Sequence, residues 1–89
     1  MATKDQINAV WNKAKKVRSE NPNEVRQDPY GNKLRKDQFG EDTDQGWEID
    51  HIKPESKGGS DALRNLQALQ TEKNRELGDS LRKRSRHNE

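Results

Sequence analysis

An 89-residue chain with 25% hydrophobic and 38% charged residues has room for one domain and a small core, so its few apolar side chains must cluster. The absence of cysteine excludes a disulfide framework and cysteine-ligated zinc, the usual supports of domains this small. Net charge is only +2, yet the charge is segregated: Glu41, Asp42, Asp44, Glu48 and Asp50 share a stretch without Lys or Arg, whereas Arg82, Lys83, Arg84 and Arg86 crowd the C-terminal end.

No apolar run approaches the ~20 residues needed to span a bilayer, and the N-terminus lacks the charged and apolar regions of a signal peptide. A soluble, cytoplasmic chain with no membrane partner is expected. The basic end suits a polyanion, although a frayed, solvated tail has the same composition.

Ile7, Val10, Trp11, Ala14 and Val17 recur at three- and four-residue spacing, which predicts an amphipathic helix over residues 4–18. Asn21-Pro22-Asn23 ends it, because the residue before proline is pushed out of helical angles. Residues 25–46 read as an irregular hairpin and loop, with Asp28-Pro29-Tyr30-Gly31-Asn32 as turn chemistry between Val25 and Leu34. Trp47 to Ile52 alternates with period two and stops at Pro54, as a strand does. A loop follows over residues 56–61, then a short apolar segment, Asn65 to Leu69, returns as a second, antiparallel strand. From Thr71, a candidate N-cap, the composition is helical, with Leu77 and Leu81 on the inner face. Gly78 weakens this helix, so it either stops there or continues to about Arg84.

One constellation carries chemistry. Hydrolysing a phosphodiester requires a base for the attacking water and positive charge for the phosphorus and leaving oxygens. A neutral imidazole suits the first task, and His51 is the one histidine outside the basic tail. Asp50 and Asn74 offer a carboxylate and an amide oxygen, ligands that suit a hard divalent cation such as Mg2+ or Mn2+. Adjacent strand residues point to opposite faces, so Asp50 and His51 serve one site only if the strand twists or bulges. The Asn65 amide can tie this strand to the loop and orient His51. Lys53, Arg64, Arg75, Arg82, Lys83, Arg84 and Arg86 are candidate nucleic-acid contacts, each equally readable as solvated surface charge. Trp11 and Trp47 are expected in the core with Leu34 and Phe39 rather than stacked on bases.

Trp47-Glu48-Ile49-Asp50-His51-Ile52-Lys53-Pro54, Gly58-Gly59-Ser60-Asp61, Asn65-Leu66-Gln67-Ala68-Leu69, Lys73-Asn74-Arg75 and Gly78-Asp79 together resemble the HNH endonuclease signature. The resemblance covers about Trp47 to Asp79. It implies a ββα-metal finger; with the N-terminal helix expected to pack on it, the fold expected is α+β, a single domain over residues 1–89. It also implies His51 as general base, Asn65 as the residue positioning it, one catalytic metal on Asp50 and Asn74, and products ending in 3′-hydroxyl and 5′-phosphate. The Asn form of the last motif position is similar to homing endonucleases and to the HNH domain of RNA-guided CRISPR nucleases. Where many relatives place one of their cysteine pairs, this chain has Gln70 and Lys73, so no structural zinc is expected.

The function so implied is metal-dependent cleavage of DNA, with RNA as a possible substrate, by a monomer. Two alternatives fit the same residues: a nucleic-acid-binding module that does not cut, and a cutting domain of a toxin or mobile element that needs a partner.

Overall fold

The computed structural model describes residues 2–78; Asp79 and the basic residues Arg82, Lys83, Arg84 and Arg86 lie outside them, as does Leu81. Helix α1 spans Lys4–Lys13, opened by the Thr3 hydroxyl, which accepts from the Gln6 backbone N–H at 3.1 Å. It ends five residues before the predicted Arg18. Ala14 is extended, and Lys15–Lys16 forms strand β1, paired antiparallel with β2 (Val25–Gln27).

The helical spacing of Ala14 and Val17 was misleading because a distant residue competes for the backbone. Arg26 is 6% exposed, and its guanidinium donates to the carbonyls of Asn12 and Ala14 at 3.2 and 3.1 Å, and to that of Pro22 at 2.9 Å. The last helical carbonyls, which lack partners within the helix, are thereby satisfied by a side chain from the next strand.

Strand β3 (Lys33–Arg35) completes a three-stranded antiparallel sheet in the order β1-β2-β3. The turn between β2 and β3 is organised by Asp28, whose carboxylate accepts from the backbone N–H groups of Tyr30 and Asn32 and from the Asn32 amide. It also accepts from the Gln70 backbone N–H at 3.1 Å, joining this hairpin to the C-terminal half.

That half has the anticipated order of strand, loop, strand and helix. Strands β4 (Trp47–His51) and β5 (Leu66–Gln70) pair antiparallel, and helix α2 covers Thr71–Leu77. Asn65 falls in a short 3-10 turn before β5 rather than in the strand. Thr71 is not the cap. It is the first helical residue, fully buried, and its hydroxyl donates to the Glu41 carbonyl while its N–H donates to that of Gly46. The acidic 41–46 segment is thus held to α2 by main-chain groups. Helix α2 ends at Gly78, whose φ of 55° is a conformation that disfavours side chains.

The core lies between α1 and the β4–β5 ribbon: Val10, Trp11, Ala14, Leu34, Trp47, Leu66 and Ala68, with Ile7, Phe39 and Ile49 packed against them. Trp47 sits at its centre, its ring 5.3 Å from Trp11 and 4.9 Å, edge to face, from Phe39. Such aromatic pairs contribute about 0.5–1.5 kcal/mol each beyond the area they bury. The fold is α+β, with the upstream segments supplying half of the core. No helix among the described residues is long and apolar enough to cross a membrane.

Candidate active site

The pairing of β4 with β5 runs without interruption from Trp47 opposite Gln70 to His51 opposite Leu66. There is no bulge at Asp50-His51, so alternation applies: Trp47, Ile49 and His51 share one face of β4, and Glu48 and Asp50 share the other. Residues from both faces nonetheless border the same space. There Glu48, His51 and Asn74 line a single cleft of about 560 Å3 with Glu55, Asp61 and Phe39.

His51 is half-buried. Its Nε2 donates to Asp61 Oδ1 at 2.8 Å and lies 3.9 Å from Glu55 Oε1. Asp61 reaches it across a loop that is closed tightly on itself. The Asn65 amide nitrogen donates to the carbonyls of Lys53 and Ser60, at 3.1 and 2.7 Å, and its oxygen accepts from the Lys53 N–H at 2.8 Å. The Ile52 N–H donates to the Asn65 carbonyl at 2.8 Å. Asn65 therefore holds both ends of the loop that carries Glu55 and Asp61, and reaches His51 through that loop rather than by direct contact. Gly59 permits the closure: a Cβ there would lie 1.7 Å from the Lys53 carbonyl oxygen.

Asn74, in the first turns of α2, donates from Nδ2 to Glu48 Oε1 at 3.0 Å. A carboxylate only accepts, so the amide nitrogen is the atom that faces Glu48, and the amide oxygen is what Asn74 has to offer a cation. Asp50 stands on the same strand face as Glu48 but is 3% exposed and does not line the cleft. Its Oδ2 accepts from Gln67 Nε2 at 3.0 Å, the residue opposite it in the pairing. The structure thus brings His51 and Asn74 to one cleft and sets Asp50 behind it. By chemical type alone the two groups, a carboxylate and an amide oxygen, suit a hard divalent ion, and each is bonded to a neighbouring side chain.

Among the described residues lining this cleft, three are carboxylates and none is Lys or Arg. The cations lie to the sides. Lys53 and Arg64 flank a second, exposed depression on the loop with Gly58 and Ser60. Arg75 is 60% exposed and paired with Asp42 at 3.1 Å, a surface contact of small energy.

Sequence reasoning missed Glu48, Glu55, Asp61 and Gln67 as members of this arrangement. Glu48 was within reach, since it stands two residues before Asp50 and so shares its face. Gln67 required the strand register, and Asp61 the closure of a loop.

Fold and cleft define a small α+β domain that presents an imidazole beside a carboxylate–amide pair. The HNH endonuclease family model matches residues 35–79, half of the chain, and the chain belongs to that family. The match begins at Arg35 in β3, upstream of the motif blocks, and takes in the turn segment that frames Trp47. Membership suggests nuclease activity in general, a nucleic-acid substrate and use of a divalent metal. No curated protein and no solved structure matches the chain.

Proposed function

We propose that this protein is a metal-dependent endonuclease that hydrolyses phosphodiester bonds in DNA, with β4, β5 and α2 as a ββα-metal finger inside a single domain. The observation that carries this reading is the shared cleft of His51, Glu48 and Asn74. His51 takes the proton from the attacking water. Asp61, 2.8 Å from Nε2, gives the resulting imidazolium an anionic neighbour. Asn65 keeps the loop, and with it Asp61, in place.

Asp50 and Asn74 would hold one Mg2+ or Mn2+. When bound, such an ion supplies positive charge to the phosphoryl and leaving oxygens. Glu48 fixes the orientation of the Asn74 amide, and Gln67 that of the Asp50 carboxylate. The anionic lining of the cleft supports metal dependence, because a polyanion enters such a cleft only with cations present. Lys53, Arg64 and Arg75 are the candidate phosphate contacts around it, and the products would carry 3′-hydroxyl and 5′-phosphate ends.

The test is conversion of supercoiled plasmid to nicked and linear forms by the wild type and by His51→Ala, first in EDTA and then in magnesium or manganese. Metal-dependent conversion by the wild type, reduced by about 10²–10⁴-fold in the variant, is the expected result. Undiminished cleavage by His51→Ala would refute the assignment of the base. Binding of DNA without conversion by either protein would favour the non-cutting module.

A further inference from the structure

His51 has a second set of neighbours that the proposed reaction does not use as ligands. Its Nε2, a Glu55 carboxylate oxygen and an Asp61 carboxylate oxygen all lie within 4.8 Å of one another. Two of the separations are 2.8 and 3.9 Å. Ligand atoms bound tetrahedrally at about 2.0–2.1 Å from Zn2+ sit about 3.3 Å apart, so the observed spacings bracket the required one. We propose that His51, Glu55 and Asp61 form a second cation site, distinct from Asp50 and Asn74, that selects a borderline divalent metal such as Zn2+ over Mg2+ and silences His51 when occupied.

Three arguments lead there. The first is charge: two carboxylates beside a neutral imidazole make a doubly negative pocket, matched to a divalent ion and ill-suited to receive a phosphodiester unaided. The second is ligand type. A nitrogen donor in the set favours Zn2+ and its neighbours in the transition series, whereas Mg2+ prefers oxygen donors and retains its waters. The third is pre-organisation. Glu55 belongs to the 3-10 turn Glu55–Lys57, closed by the Gly58 N–H on the Glu55 carbonyl at 3.0 Å. Asp61 follows Ser60, whose carbonyl is held by Asn65. The two carboxylates come from opposite ends of one loop and converge on the same ring nitrogen, so a metal would find its ligands already gathered.

Binding at this site is independent of the nuclease reading; its effect on cleavage rests on it. The imidazole nitrogens of 15N-labelled full-length protein, without DNA, are followed by NMR during titration with zinc chloride. The expected result is a change in the His51 ring signals that saturates at one equivalent. Apparent affinity should fall tenfold or more in Glu55→Gln and in Asp61→Asn, and stay within about twofold in Asn74→Ala. His87, the other histidine, serves as the internal control. A change confined to His87, or loss of binding in Asn74→Ala with the two loop variants unaffected, overturns the proposal.

In magnesium, one equivalent of zinc should reduce wild-type cleavage tenfold or more. The Glu55→Gln/Asp61→Asn double variant should lose most of that inhibition relative to its own rate without zinc. A protein that binds zinc at His51 but never cuts would remove the nuclease reading and leave this site standing. One that cuts but shows no change at the His51 ring would do the reverse.

Discussion

Asp28 and Asp50 are both buried aspartates, one in each half of the molecule, and they are employed differently. Asp28, 1% exposed, accepts four hydrogen bonds, from Tyr30, from Asn32 twice and from Gln70, three of them from backbone N–H groups. It is a structural clamp. Asp50, 3% exposed, meets the flexible end of a side chain, Gln67, in a strand beside a polar cleft. Burial alone therefore does not distinguish a structural carboxylate from the metal ligand proposed at Asp50. Asp28 is held by main-chain donors that need an anion for folding, whereas Asp50 accepts from the Gln67 side chain.

The same contrast holds between the halves. Upstream, the charged groups Arg26 and Asp28 close the ends of a helix and a hairpin. Downstream, the polar groups of Asn65, Glu48 and Gln67 hold other side chains or a loop around the cleft. Where cysteine-bearing relatives are expected to use zinc, Gln70 and Lys73 connect the halves: the Gln70 amide donates to the Asp44 carbonyl at 2.8 Å, and the Lys73 ammonium lies 4.8 Å from the centre of the Tyr30 ring.

Six substitutions sharpen or break this comparison. Trp47→Ala, at the junction of the halves, should have the largest effect, about 3–5 kcal/mol of stability lost in chemical denaturation, enough to unfold much of a domain this small. A loss under 1 kcal/mol would mean that the halves do not share a core. His51→Ala should leave the denaturation midpoint almost unchanged while cleavage falls by about 10²–10⁴-fold, since its ring is half-buried and its acidic partners are exposed.

The matched pair of Asp28→Asn and Asp50→Asn addresses the comparison directly. At position 28 an amide nitrogen would face N–H donors, costing about 1–3 kcal/mol of stability. At position 50 the amide can still accept from Gln67, so stability should change less while activity and magnesium affinity fall. Equal stability losses in both would erase the distinction. The smallest effect is reserved for Lys53→Gln and Arg64→Gln: each phosphate contact removed should reduce the salt dependence of DNA binding by about 0.9 in slope, without altering metal affinity.

The order strand, loop, strand, helix was legible in the sequence because its signals are local. Alternation marks Trp47 to His51, proline and glycine mark the loop, and composition marks the helix. That His51, Asn65 and Asn74 belong to one neighbourhood was legible for a second reason: they sit in separated blocks with a distinctive order. The sequence also indicated the apolar core, since the chain holds so few large side chains that Trp11, Leu34 and Trp47 had little alternative to meeting one another.

Only the tertiary structure decided where α1 ends, because the competing donor, Arg26, comes from a strand with no local signal of pairing to Lys15 and Lys16. It alone turned Thr71 from a cap into a tie to Glu41, and put Glu48 against Asn74. It also gathered Glu55 and Asp61 on His51. Those contacts join residues far apart in the chain, and their specificity lies in strand register and loop closure, which a pattern of side chains along a line does not encode.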